Sequence, residues 1–357
     1  FGGCSSLTSI SIPDGVTFIG NAAFRGCSSL ASITIPDGVT SIGDSTFEGC
    51  TSLTTITIPD GLTSIGVLAF ESCSSLTSIT IPDGVTSIGD GAFSRCPAVR
   101  YTSRNSSAAL ALGKAGYSFV EPDYPLLSLL ASETEDGART FAVTGCDVSA
   151  TEIVIPDGVT SIGDYAFINC SNLTTITIPD GVTSIGDGAF NDCPAICYTS
   201  CNSSAALALG KAGYSFVDPD YPLLTLLAGE TEDGNRTLIV TDCDVSATEI
   251  VIPDGATSIG DFAFSSCSNL TSITIPNGVT SIGYSAFSYC SSLASVSIPD
   301  GVTSIGDYAF SYCSNLASIS IPDGVTSIGG WAFSNCSSLA SISIPDGVTS
   351  IGELAFY

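Results

Sequence analysis

Histidine and methionine are absent from these 357 residues, Trp331 is the only tryptophan, and Lys114 and Lys211 are the only lysines. Without histidine, no Ser-His-Asp triad, Cys-His nucleophile or HExxH zinc motif can be assembled. Basic side chains are scarce, 8 against 35 acidic ones, for a formal charge of −27. Such a surface repels phosphate backbones and anionic headgroups, so nucleic acid is not an expected partner. No apolar run approaches the ~18–20 residues of a membrane span, so membrane insertion is not expected either. No leader peptide is visible, but Phe1 falls in the middle of a repeat, so the chain reads as a piece of a longer one. Function is left to surface shape, carboxylates and thiols. No cofactor is implied.

What the sequence has in abundance is repetition. Ile-Pro-Asp-Gly begins at Ile12, Ile35, Ile58, Ile81, Ile155, Ile178, Ile252, Ile298, Ile321 and Ile344, and an Asn version begins at Ile275. Phe1, Phe24, Phe47, Phe70 and Phe93 keep a period of 23, as do Phe167 and Phe190, and then Phe264, Phe287, Phe310, Phe333 and Phe356. Two insertions of 51 residues interrupt the array. In Leu30-x-x-Ile33-x-Ile35 the apolar residues alternate with an outward Thr34, as in a short half-buried strand. Pro36-Asp37-Gly38 reads as a tight turn, after which Val39, Ile42 and Phe47 form a second inward stretch. One coil would bury about seven apolar side chains, roughly 10–15 kcal/mol gross, against roughly 25–35 kcal/mol of ordering entropy. A unit alone cannot fold; a stack can.

Residues 73–93, C-S-S-L-T-S-I-T-I-P-D-G-V-T-S-I-G-D-G-A-F, resemble the leucine-rich repeats of the BspA-like, or Treponema pallidum-type, family. The resemblance implies an α/β solenoid with a parallel sheet on one side and short helical or irregular pieces opposite. It also implies a secreted or surface protein used in adhesion or host interaction.

Residues 97–170 and 194–267 align without gaps and share 60 of 74 positions. Each carries helix formers (Ala108 to Lys114 in the first copy), similar to the closing helix of the family's arrays, and then Glu121-Pro-Asp-Tyr-Pro, whose prolines favour a stiff extended linker. A segment from Arg139 reads as an opening hairpin. The expectation is three tandem blocks. Residues 1–120 form block one, closed by a helical cap at about 105–120. Residues 121–217 hold a linker, a hairpin, two repeats and a closing cap. Residues 218–357 hold a linker, a hairpin and five repeats with no closing cap.

Cys4, Cys27, Cys50, Cys73 and Cys96, and later Cys267, Cys290, Cys313 and Cys336, recur at the period and should form a column of small buried hydrophobes. A column does not converge ligands, so metal binding there is not expected. Cys197 and Cys201 replace Arg100 and Arg104 of the first copy together, which suggests either a disulfide between them or two free thiols.

Three surface lattices remain. Outward Ser/Thr pairs such as Ser32/Thr34 and Ser318/Ser320 would line the strand face, either as plain solubilising ladders or as a platform for glycan or ice. Turn aspartates, among them Asp300, Asp323 and Asp346, are ordinary turn formers or, because no Lys or Arg follows Arg236, candidates for calcium. Phe262, Tyr284, Tyr289, Tyr308, Tyr312 and Trp331 would place an aromatic strip along one edge of the last block, a candidate interaction edge. Asn105, Asn169, Asn172, Asn202, Asn235, Asn269 and Asn335 match N-x-S/T, relevant only in a eukaryotic source. The reading is a non-enzymatic, extracellular or cell-surface protein for adhesion or protein–protein interaction, with protein or glycan surfaces as partners. An end-to-end filament of copies of itself is the second reading.

Overall fold

The computed structural model describes all residues from Phe1 to Tyr357. Two compact units emerge: Phe1–Leu173 with Gly186–Pro194, and Thr174–Ile185 with Ala195–Tyr357. Both are stacks of 23-residue coils, each coil contributing one rung to every column. The boundary between them runs through the middle pair of repeats.

Most coils give a three-residue strand and a two-residue strand, and both pair in parallel with an equivalent in a neighbouring coil; the first coil contributes only single bridges and the last only Ser350–Ile351. Ser32 pairs with Thr55, Ile33 with Ile56 and Thr34 with Thr57, while Ser41 and Ile42 meet Ser64 and Ile65. In the second unit the short strands run in register from Ser258 through Ser281, Ser304 and Ser327 to Ser350. The strand face follows the alternation in the sequence: Ile33 and Ile79 are buried while their Ser and Thr neighbours are exposed. The side opposite is built of turns; the two helices are Ser107–Lys114 and Ser204–Lys211, both inside the insertions.

Phenylalanine forms the axis of the core. Phe1, Phe24, Phe47, Phe70 and Phe93 stack at 5.4–5.6 Å with nearly parallel rings, and Phe264, Phe287, Phe310, Phe333 and Phe356 do so at 4.9–5.5 Å. Each ring inside a stack therefore has a partner on both faces, which adds about 0.5–1.5 kcal/mol per pair to its burial.

Several polar residues of the repeat act between coils. The Asp44 carboxylate accepts the Val67 N–H at 2.8 Å, and Asp164, Asp261 and Asp307 accept from Asp187, Tyr284 and Gly330. The glycine before this position is required by the same contact: a Cβ on Gly66 would lie 2.6 Å from the Asp44 amide and carboxylate. Thr63 donates both its N–H (2.8 Å) and its hydroxyl (3.0 Å) to the Thr40 carbonyl, a pattern repeated from Thr257 to Thr349.

The insertions are packed into the coils. In the first unit Val99–Tyr101, Phe119–Val120, Leu127–Glu133, Arg139–Cys146 and Val159–Ile162 follow one another in one sheet, the hairpin being antiparallel. Each helix lies so close to the hairpin that a Cβ on Gly113 or Gly210 would overlap the carbonyl of Ala131 or Ala228. Ser106 and Ser203 cap the helices. Arg139 and Arg236 donate to the carbonyls of Asn105 and Ser106, and of Asn202 and Ser203. The expected stiff linkers are instead turns: Tyr124 N–H donates to Glu121 and Leu127 N–H to Tyr124, with the same pattern at Asp218, Tyr221 and Leu224. The prolines sit in these turns because the chain must reverse directly into the hairpin.

Candidate interaction surfaces

The cysteine column is more than filler. Cys50 Sγ lies 3.1 Å from the Phe24 carbonyl, and Cys27, Cys73, Cys290, Cys313 and Cys336 repeat the contact 3.0–3.2 Å from the matching Phe carbonyl. The thiol is thus a small apolar group with one weak donor aimed at the second lone pair of a carbonyl that already accepts a backbone N–H within its own coil. Burial pushes the Cys50 and Cys290 thiols up to about 12 and Cys336 to about 11, so they are poor nucleophiles. Cys267 leaves the column, as does Cys170, which stands at the same place in its own coil three residues after Phe167. Cys170 and Cys267 form disulfides with Cys146 and Cys243 at the ends of the hairpins, fastening each hairpin to the coil it introduces.

Cys197 and Cys201 are not joined to one another. Cys197 sits mid-strand in Ile196–Tyr198, paired with Ile176, and is buried. Cys201 precedes the second helix, where the Asp218 carboxylate accepts its N–H and faces its thiol. Burial, and then Asp218, raise that thiol to about 12. Only one of the two replacements has a contacting residue that changed with it. In the first copy Arg104 faces Glu121 at 3.3 Å and covers the Tyr124 ring, whereas Arg100 covers Phe93 and Tyr117. The two arginines serve separate neighbourhoods, and Arg104 changed to Cys201 alongside its own partner, Glu121 to Asp218.

The calcium candidates Asp300, Asp323 and Asp346 occupy equivalent exposed turns on successive coils and do not converge. No group of three or more Cys, Asp or Glu is placed to hold a metal ion. Equivalent turns translated along a stack cannot surround one point.

The aromatic residues do come together. Phe262, Tyr284, Tyr308, Trp331 and Tyr357 form a ladder with centroid spacings of 5.2, 5.6, 6.0 and 5.4 Å. Tyr289 and Tyr312 stack separately at 4.6 Å. Phe262 is 55 % exposed and Tyr289 51 %. Two positions in every coil have left-handed backbone. The first holds Ala22, Ser45, Leu68 and Gly91 early in the chain and Phe262, Ser285, Tyr308 and Trp331 late. The second holds Gly26, Gly49, Ser72 and Arg95 early and Ser266, Tyr289, Tyr312 and Asn335 late. At the second position Arg95, Ser266, Tyr289, Tyr312 and Asn335 are exposed, whereas at the first Ser285 is buried and Tyr308 and Trp331 are half-buried; left-handed backbone costs a non-glycine residue roughly 1–2 kcal/mol. The sequence pattern identified the aromatic residues; their backbone conformation left no signal, because glycine and asparagine are a minority at these positions.

Six copies of the BspA type leucine rich repeat region match residues 1–110, 139–211 and 241–357. Among solved structures, a leucine rich cell surface protein from Faecalibacterium prausnitzii is 30% identical over 95% of this chain, which spans 66% of that protein, with a TM-score of 0.31. A leucine-rich repeat protein from Bacteroides ovatus is 26% identical, covering 99% of this chain and 85% of the other, TM-score 0.35. The T. pallidum leucine-rich repeat protein is 25% identical over 63% of this chain and 83% of its own, TM-score 0.28. No curated protein matches. No helix is long and apolar enough to cross a membrane. With its repeats matched over most of its length, the chain belongs to the BspA type leucine-rich repeat family.

Proposed function

We propose that this chain is a non-enzymatic recognition protein of the cell surface or extracellular space, which holds protein partners through the aromatic edge of its last coils. The ladder from Phe262 to Tyr357 carries this reading: exposed Phe262 and half-buried Tyr308 and Trp331 stand at a left-handed position where early coils place Ala, Ser, Leu or Gly, and exposed Tyr284 and Tyr357 pack against them. Aromatic side chains dominate binding energy in protein interfaces. Two disulfides suit an oxidising compartment. Buried thiols with raised pKa values and dispersed carboxylates offer no nucleophile and base in register.

Adhesion is testable with beads coated with the full chain and settled on a cell monolayer. Wild-type beads should be retained, and soluble wild-type chain should displace them. The Tyr308→Gly/Trp331→Gly chain should neither retain nor displace. Equal retention of the two coatings would reject the aromatic edge as the contact.

A further inference from the structure

The second insertion leaves a strand edge open. Glu249–Val251 is the terminal strand of its sheet and pairs on one side only, with Ser272–Thr274. On that side Ile252 N–H donates to Thr274 at 3.1 Å, and the Thr248 carbonyl accepts the Ser272 N–H. Because peptide groups alternate along a strand, those of Glu249 and Val251 point the other way. They face a groove of about 170 Å³ whose far wall is residues 220–224, including Tyr221, Pro222 and Leu223. Its rim is apolar and open, with Val251 60 % exposed and Leu223 38 % exposed. The first insertion repeats the feature: residues 123–127 and Glu152–Val154 enclose about 240 Å³, with Val154 51 % exposed. Native proteins blunt a sheet edge with charge, Pro, short length or a covering loop; this edge is three residues long with Glu249 at its start, yet the loop opposite leaves a gap and Val251 stays exposed.

We propose that these grooves are two equivalent docking sites for an extended polypeptide segment of a partner protein, which adds to the edge as a further strand. Backbone hydrogen bonds to Glu249 and Val251 would align it, and alternate apolar side chains would enter between Val251 and Leu223. Charge sets the rest of its chemistry. Asp220 and Glu249 border one groove and Asp123 and Glu152 the other, with no basic residue among the lining side chains of either. The segment therefore carries lysine or arginine beside its apolar residues. A second copy of this chain is disfavoured, because it would bring two acidic groove borders together with no basic residue between them.

The probe is a fluorescein-labelled capped peptide, Lys-Val-Thr-Val-Thr-Val-Lys, titrated with the full chain and followed by anisotropy. Saturation at two peptides per chain is expected. N-methylation of alternate peptide nitrogens should weaken binding at least tenfold, and exchange of both lysines for glutamate should do likewise. Val251→Pro removes only the outward N–H, so V154P or V251P alone should leave one site and the double variant none. Leu126→Asp with Leu223→Asp leaves the backbone untouched and should also abolish binding, with an unchanged circular dichroism spectrum confirming the fold. Failure to bind up to millimolar chain, equal binding of the N-methylated peptide, or two sites surviving in both double variants would overturn the proposal. The Tyr308→Gly/Trp331→Gly chain should bind the peptide like wild type, so this site and the aromatic edge stand or fall separately.

Discussion

The first four coils and the last five share an interior and differ on the outside. Phe47 and Phe287 are both fully buried in ring stacks, and Cys50 and Cys290 make the same thiol–carbonyl contact. At the two left-handed positions, Ser45 and Gly49 in one region are replaced by Tyr308 and Tyr312 in the other. The interior is constrained because each group must match the coils above and below. The outward positions are constrained only by backbone shape, so that is where one region can acquire a contact surface the other lacks.

That comparison can be broken most forcefully from within. Phe47→Ala and Phe287→Ala should each cost about 3–5 kcal/mol in chemical denaturation, since each opens a cavity and two ring contacts disappear. Unequal losses would show that the interiors are not equivalent. Next in size, the Cys243→Ser/Cys267→Ser chain should lose about 2–4 kcal/mol by releasing its hairpin. The first coils, which have no such bridge, should be unaffected by reduction when followed by local hydrogen exchange.

Smaller effects separate outside from inside. Tyr308→Gly should change stability by less than about 1 kcal/mol, because relief of left-handed backbone offsets lost stacking. The thiols supply a pH signature common to both regions. Cys50 and Cys290 are raised in the folded state, so the unfolded chain releases their protons first. Their contribution is intact below the ordinary thiol pKa near 9 and should drain away as pH climbs toward about 12, visible in denaturation midpoints. The smallest effect concerns the inter-coil carboxylates. Asn21, Asp44, Val67 and Asp90 alternate neutral and charged, as do Asp261, Tyr284, Asp307, Gly330 and Glu353. Val67→Asp would place three charges on consecutive coils and should cost about 0.5 kcal/mol at low salt, fading as salt screens it.

Much of this was legible in the sequence because the period repeats so often. The phenylalanine count alone sets the coil and its stacking axis, and the alternation at Ile33 and Thr34 sets the strand face. The roles of Asp44, Gly66 and Thr63 were not legible, because their partners lie one coil away and turn propensity explains the same residues. Cys197 and Cys201 changed together without pairing: Arg104 to Cys201 went with its contact Glu121 to Asp218, whereas the rings against Arg100, Phe93 and Tyr117, recur unchanged as Phe190 and Tyr214. The prolines of 121–125 suggested extension because local stiffness says nothing about the hairpin that makes the chain reverse.

One exchange tests most directly whether recognition resides in the outward residues of the last coils. In the full chain, Tyr289, Tyr308, Tyr312 and Trp331 would each become Gly or Ser, as in the early coils, and bead retention on cells would be measured beside the denaturation midpoint. Retention should vanish with the midpoint nearly unmoved. Full retention at an unchanged midpoint would contradict the account.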